Sequence, residues 1–80
     1  MGKLVQIGNI IIRVYANDHL PPHFHIITPD ADALVEIATL DIIRGKLPRK
    51  AEQIALEWAT EHRAVIAVEW NRTNPRFPIA

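Results

Sequence analysis

The sequence has no cysteine, only three glycines and no excess of either charge. Without cysteine the chain has no disulfides, thiolate zinc sites or thiol nucleophiles, as is usual for cytosolic proteins. Nine basic residues balance nine acidic ones, so the overall charge does not attract phosphate backbones. No apolar run approaches the roughly 18 residues of a membrane span, and the polar amino terminus is unlike a signal peptide. These absences predict a soluble, cytoplasmic protein with no membrane partner.

The chain does contain enough apolar material for one packed core. Hydrophobic residues make up 49% of its 80 positions and charged residues 22%, which is typical of a folded domain. A chain of this length buries only about two thirds of the surface that its unfolded form exposes, which is too little for two cores. We therefore predict a single α+β domain over residues 1–80, with a core of about residues 3–72 and an extended tail over 73–80.

Runs of β-branched residues predict a small antiparallel sheet of three to four strands. Gly8 and Asn9 form a candidate two-residue turn between the first two runs. Pro22 favours a strand that begins directly after it, over residues 23–28, because proline cannot donate a ladder hydrogen bond. Residues 41–45 fit either a terminal strand or the start of a helical segment.

One long C-terminal helix is predicted to begin near Pro48. Proline suits the first turn of a helix, and no further glycine or proline follows until Pro75. Apolar residues recur there at the three-and-four spacing of a buried stripe. Strand alternation and this spacing together predict a core of Ile12, Val14, Phe24, Ile26, Val35, Ile37, Ile54, Trp58, Val65 and Ile66.

The predicted helix has more apolar surface than one sheet face can cover. Leu56, Ala67 and Trp70 lie partly outside the buried stripe. Their exposure would be unfavourable in a monomer, and small domains often gain stability by association. We therefore expect a homodimer with these residues at its interface.

His23 and His25 are the most informative polar residues. Side chains alternate along a strand, so both imidazoles should project from one face while Phe24 packs into the core. By the same alternation the face that carries the histidines also carries Arg13, Tyr15 and Glu36. We expect these five residues to form a polar, ligand-binding cluster.

The cluster is compatible with more than one chemistry. His23 and His25 can bind a divalent metal such as zinc, with Glu36 as a third ligand. It can equally hold an anion such as phosphate, with Arg13 supplying the permanent charge. The simplest alternative is that paired surface histidines only form hydrogen bonds. Catalysis is less favoured, because an open sheet face does not exclude water.

A basic run surrounds the predicted start of the helix and is the only local patch that favours nucleic acid. Helix N-termini also attract anions through their free N–H groups and dipole. A solvated cationic turn explains the same residues more simply. The run comprises Arg44, Lys46, Arg49 and Lys50.

The order of these motifs along nearly the whole chain resembles a prokaryotic family named domain of unknown function 4160 (DUF4160). The most specific part is the block from Pro21 to His25, which reads Pro-Pro-His-Phe-His, and the helix residues Trp58, His62 and Trp70 also fit. The resemblance implies a small stand-alone protein that is often encoded beside a second short protein, an arrangement similar to toxin–antitoxin modules. It supports His23 and His25 as site residues but implies no activity.

Three functions are therefore expected. The first is a binding component of a two-gene regulatory or toxin–antitoxin-like module, acting through contacts with the neighbouring gene's small protein or with nucleic acid. The second is a divalent-metal-binding protein or metal-dependent hydrolase that uses His23, His25 and Glu36. The third is a structural homodimeric interaction module. No residue is assigned a catalytic role, and binding is favoured over enzymatic activity.

Overall fold

A computed structural model describes residues 3–79 as a five-stranded antiparallel sheet with two helices. The strands lie side by side in chain order, and each is antiparallel to its neighbours. Met1, Gly2 and Ala80, the last residue of the predicted tail, lie outside the described residues. The predicted α+β class is confirmed. The elements are β1 (Lys3–Ile7), β2 (Ile10–Arg13), β3 (His23–Thr28), β4 (Ala31–Glu36), β5 (Ile42–Gly45), α1 (Arg49–Glu61) and α2 (Arg63–Thr73).

Short turns join the strands where the sequence predicts them. Ile7 pairs with Ile10 across the Gly8-Asn9 turn, and Gly8 takes the left-handed conformation, with φ of 59°, that such hairpins require. Strand β3 begins at His23, directly after the two prolines. The predicted first hairpin and the predicted strand over residues 23–28 are both confirmed.

The number of strands differs from the prediction of three to four. Residues 42–45, for which the sequence fits either a strand or the start of a helical segment, pair with β4 as a fifth strand. The pairing places Gly45 against Ala33, with a φ of 85° at the glycine. A short run with only two apolar residues carries little periodicity, so its pairing with β4 was not evident from the local sequence.

Two helices replace the single long helix that was predicted. The break falls at His62, whose φ of −123° and ψ of 27° lie outside the helical range. The Nδ1–H of His62 donates to the carbonyl of Trp58 at 2.8 Å, and the two rings stack with centres 4.4 Å apart. Because neither glycine nor proline marks the break, the sequence pattern predicts one uninterrupted helix across it.

The core lies between the sheet and the two helices, and it contains most of the predicted residues. Helix α1 buries three alanines at a spacing of four, Ala51, Ala55 and Ala59, which lets it lie close to the sheet. Helix α2 contributes Ile66 and Trp70. The predicted core residues that are buried are Ile12, Val14, Phe24, Ile26, Val35, Ile37 and Ile66.

Three predicted core residues take other positions, and one predicted interface residue is buried. Val65 is 49% exposed, while Ile54 and Trp58 are only partly buried at the edge of the core. Trp70 was expected at a dimer interface but has no exposed surface in the chain. The buried positions of the two helices form one stripe that is rotated away from the predicted one, so that Ile66 and Trp70 lie within it and Val65 does not.

The opposite face of the sheet is partly buried at Arg13 and His25, whereas His23 and Leu34 on the same face are buried. Arg13 and His25 lie on this face. Their neighbours along the strand point to the core face and are fully buried, as strand alternation requires. Neither helix of residues 3–79 is long and apolar enough to cross a membrane.

Candidate functional site

The segment between β2 and β3 brings one carboxylate to the two predicted histidines. Asp18 Oδ2 lies 3.0 Å from Nε2 of His23 and 3.3 Å from Nε2 of His25. Because His23 and His25 alternate with Phe24, both imidazoles are near one end of the strand, where this segment crosses. The structure therefore forms an Asp-His-His cluster from Asp18 and the two histidines singled out in the sequence.

Asp18 is positioned by the end of helix α2. Its backbone N–H donates to Oδ1 of Asn74 at 2.7 Å, and the side-chain amide of Asn74 donates to the carbonyl of Tyr15 at 3.0 Å. The backbone N–H of Asn17 donates to the carbonyl of Thr73 at 3.2 Å. Asn74 is almost fully buried, so these bonds are protected from water. These hydrogen bonds thus hold the backbone that carries the Asp18 carboxylate in a fixed position.

His23 is the most constrained member of the cluster. It is fully buried, and its Nδ1 lies 2.7 Å from the carbonyl oxygen of Pro21. A carbonyl only accepts, so Nδ1 carries a proton and donates it to Pro21. Within residues 3–79, Nε2 has no partner in hydrogen-bond geometry, although Asp18 Oδ2 is only 3.0 Å away. His23 Nε2 is therefore a buried nitrogen whose hydrogen-bonding capacity these residues do not satisfy.

His25 lies nearer to solvent, and its environment favours the neutral imidazole. Burial lowers the pKa of His25 below its ordinary value of 6.5, and the hydrogen bond with Asp18 offsets this only in part. The edge of the Tyr15 ring packs against it, with ring centres 4.6 Å apart. A neutral imidazole is the form that binds metal ions.

Asp18 is held in its ionised form. Burial alone would raise the pKa of its carboxyl group, but hydrogen bonds from the backbone N–H of His19, at 2.8 Å, and from His25 lower it below 3.8. The carboxylate is therefore charged at neutral pH. It supplies a negative charge beside the Nε2 atoms of two imidazoles, and these three groups are the donor set of a two-histidine, one-carboxylate metal site.

The spacing of the three donors suits a transition metal. One ligand atom from each of Asp18, His23 and His25 lies within 4.8 Å of the others. In a tetrahedral zinc site with bonds of about 2.0–2.1 Å, neighbouring ligand atoms are about 3.3–3.4 Å apart. The two distances from Asp18 Oδ2, 3.0 and 3.3 Å, are close to this value. Only small movements would bring the donors around an ion.

The carboxylate in this cluster is Asp18, whereas the sequence had suggested Glu36. Glu36 does pair with His23 in the sheet, as strand alternation predicts. Its carboxylate, however, accepts a hydrogen bond from the hydroxyl of Thr39 at 3.4 Å. The sequence pattern does not identify Asp18 as a site residue, because a loop without periodicity does not reveal which strand it crosses.

Arg13 and Tyr15 flank the cluster on its open side, as expected from alternation. Arg13 pairs directly with His25 across β2 and β3, and its guanidinium lies 5.8 Å from the centre of the Tyr15 ring. Nε of Arg13 is buried and has no hydrogen-bond partner among residues 3–79. Their predicted role in ligand binding stays a prediction.

The predicted dimer interface and the basic run are not part of this cluster. Leu56 is half-buried against the core, and Ala67 lines an open groove of about 770 Å³ beside Pro22 and Val68. The homodimer and the nucleic-acid contact stay predictions. The four residues of the basic run, Arg44, Lys46, Arg49 and Lys50, are all exposed near the start of α1.

Comparison with known proteins assigns the chain to a family but to no characterised protein. The family model described as "Domain of unknown function (DUF4160)" matches residues 9–71, a range that includes Asp18, His23 and His25. No curated protein and no solved structure matches the chain. The geometry of the cluster therefore carries the functional argument.

Proposed function

The chain belongs to the DUF4160 family, whose description names no activity, and from the geometry of its histidine cluster we propose that it binds a divalent transition-metal ion. The ligands are Asp18 Oδ2 and the Nε2 atoms of His23 and His25. The proposal replaces Glu36 of the sequence-based ligand set with Asp18.

One observation carries the proposal, namely the buried contact between His23 Nε2 and Asp18 Oδ2. His23 Nε2 lies 3.0 Å from this oxygen but has no partner in hydrogen-bond geometry within residues 3–79. A buried polar nitrogen without a partner is unfavourable, and a cation bound to both atoms would satisfy it. A hydrogen-bonding proton lies close to the line that joins the two atoms, whereas a metal ion bound to both lies off that line. Because this contact lacks hydrogen-bond geometry, a metal ion fits it better than a proton does.

The chemistry of the donors selects the class of ion. Two imidazoles and one carboxylate favour zinc, cobalt, nickel or copper, whereas magnesium and calcium prefer sites built from oxygen alone. The Nδ1 of His23 is held by a backbone carbonyl, which is the usual outer support of a metal-binding histidine. Zn²⁺ is therefore the ion that we expect to bind.

Zinc titration of the purified chain tests the proposal. We expect one zinc ion per chain, measured by calorimetry and by elemental analysis after dialysis. Asp18→Asn and His25→Asn should each weaken binding at least about 100-fold, because loss of an outer support alone costs about 10–100-fold. His62→Asn is the matched control, since His62 is half-buried but lies against Trp58. Wild-type protein that retains no stoichiometric zinc would contradict the proposal.

Anion binding is a second candidate, and the buried Nε of Arg13 favours it. A guanidinium nitrogen without a partner beside a histidine can receive a phosphate or carboxylate oxygen. Titration with inorganic phosphate tests this candidate in metal-free protein. Arg13→Ala should then weaken phosphate binding, whereas exposed Arg49→Ala should not. Equal phosphate affinity in the wild type and Arg13→Ala would exclude it.

The other expectations stay predictions. They include a two-gene regulatory module with a neighbouring small protein, a structural homodimer, cytoplasmic location and metal-dependent hydrolysis. Co-purification with the product of the neighbouring gene would support the first of these.

A further inference from the structure

Three imidazoles, rather than two, face the Asp18 carboxylate. Nε2 of His19 lies 3.7 Å from Asp18 Oδ1, on the other oxygen from the one that contacts His23 and His25. The His19 ring stacks on the His23 ring, with centres 4.9 Å apart and planes at 27°. His19 is therefore next to the proposed metal site although it was unplaced by the sequence pattern.

The hydrogen bonds of His19 repeat those of His23. Nδ1 of His19 lies 3.3 Å from the carbonyl oxygen of Leu20, as Nδ1 of His23 lies against the carbonyl of Pro21. In both residues a backbone carbonyl holds Nδ1, and Nε2 is the ring nitrogen on the side of the Asp18 carboxylate. Nε2 is therefore the atom through which His19 can bind a metal ion.

His19 combines an anchored backbone with a movable ring. Its backbone N–H donates to Asp18 Oδ1 at 2.8 Å, so its Cα stays beside the carboxylate. Its side chain is 61% exposed, in contrast with 18% for His25 and none for His23. A rotation of the exposed ring can therefore carry Nε2 toward the ion without a change in the core.

The other residues around the cluster are held by packing or hydrogen bonds. Trp70 packs against His23 with ring centres 5.6 Å apart, and Tyr15 packs against His25 at 4.6 Å. Asn74 supports Asp18 from the end of α2. His19, whose side chain is 61% exposed, is the neighbouring ligand that can move toward an ion held by Asp18, His23 and His25.

We propose, resting on the proposed metal function, that His19 is the fourth ligand and closes the site as a three-histidine, one-aspartate tetrahedron. Closed four-ligand sites hold zinc for structure or sensing, whereas hydrolytic sites keep one position open for water. Binding of the ion therefore fixes the loop around residues 17–20 onto the sheet. The protein retains or senses the metal and does not use it to activate water.

Cobalt substitution tests the fourth ligand directly. Co²⁺ in a closed tetrahedral site absorbs visible light strongly, and the absorption weakens when water enters the coordination sphere. We expect wild-type protein to give the strong spectrum. His19→Ala should give a weaker spectrum and at least about tenfold lower Co²⁺ affinity. The melting temperature of the metal-free variant should be unchanged, because His19 is exposed.

A second variant gives a positive signal. Because the chain has no cysteine, His19→Cys places a single thiol at the proposed position, and its coordination would add a sulfur-to-cobalt charge-transfer band. His62→Cys, at a histidine away from the cluster, should give no such band.

Two results would contradict the inference, and one of them would also contradict the proposed metal function. If His19→Ala binds Co²⁺ with wild-type affinity and spectrum, His19 is not a ligand and the three-residue site remains. If wild-type protein binds neither Co²⁺ nor Zn²⁺, both this inference and the proposed function are wrong.

Discussion

At the level of single residues, burial and a few hydrogen bonds set the charge of each group in the histidine cluster. Asp18 is ionised because N–H donors surround it, and His25 is neutral because it is partly removed from water. The pKa of each group is lower in the folded chain than its ordinary value. Both shifts make the unfolded chain the better proton acceptor as the pH falls.

The metal-free protein should therefore lose stability on acidification. His25 begins to contribute below about pH 6.5, where the unfolded imidazole takes up a proton more readily than the folded one. Asp18 acts in the same direction below about pH 3.8. Urea unfolding with a chelator present, at about pH 7 and about pH 5, measures the change. His25→Asn should reduce the loss across this range, and an equal loss in this variant would show that another group is responsible.

Residue-level reasoning from the sequence identified two of the three residues of the cluster, His23 and His25. His23 and His25 share a side because Phe24 between them is needed in the core, and this alternation is local. Asp18 and His19 lie in a loop whose path depends on contacts with Asn74, which is 56 positions from Asp18. The adjacent Asp-His pair was the available signal, but nothing local indicated where it would be placed.

At the level of elements, two glycines show how strongly the strand connections depend on local backbone conformation. Gly8 and Gly45 both have positive φ, at 59° and 85°. A Cβ at Gly8 would meet nothing within 4 Å, whereas one at Gly45 would lie 2.4 Å from the carbonyl oxygen of Asp32. The edge strand β5 can therefore pair with β4 only because residue 45 has no side chain.

Alanine at the two glycines should have unequal effects. Gly8→Ala carries only the left-handed backbone cost of about 1–2 kcal/mol. Gly45→Ala adds a backbone clash, so its free energy of unfolding should fall by more, by at least about 2–3 kcal/mol. Chemical denaturation of both variants measures the difference. Equal destabilisation would mean that β5 moves away from β4 at little cost.

Prediction of the elements was accurate where the signal was local. The Gly8-Asn9 hairpin, the strand after Pro22 and the helix start after Pro48 all follow from the backbone preferences of single residues. The break between α1 and α2 does not, because it depends on the packing of His62 against Trp58. The predicted stripe was also rotated relative to the buried one, so Val65 is exposed and Trp70 is buried.

At the level of the whole molecule, Trp70 connects the core, the histidine cluster and the C-terminal segment. It is fully buried, and its ring lies 5.6 Å from that of His23. Its Nε1–H donates to the carbonyl of Phe77 at 2.8 Å. The other tryptophan, Trp58, lies at the edge of the core and is only partly buried.

Loss of Trp70 should therefore destabilise the chain more than loss of Trp58. Trp70→Ala should cost about 3–5 kcal/mol, whereas Trp58→Ala should cost clearly less. Trp70→Phe keeps much of the apolar contact and should lose about 1 kcal/mol from the missing hydrogen bond alone. Unfolding in urea ranks the three variants. A larger loss in Trp58→Ala would show that α1 dominates the core.

The expected homodimer stays a prediction. Because Trp70 is buried within the chain, the test has to use other, exposed residues of α2. Val65 and Val68 of α2 are 49% and 66% exposed. Exposed apolar side chains on one helix favour association. If the chain dimerises through α2, Val68→Glu should shift it toward monomer in sedimentation equilibrium, and exposed Glu57→Gln should not. A monomeric wild-type protein at high concentration would contradict the dimer.

The long sequence separation between Asp18 and Asn74 has a consequence for biosynthesis. The side chain of Asn74 fixes both Asp18 and Tyr15, and it enters the growing chain 56 positions after Asp18. Both histidines of β3 leave the ribosome long before this support exists. The cluster can therefore reach its native geometry only after Asn74 has emerged, so that capture of an ion would report that the α2 segment has been made and docked.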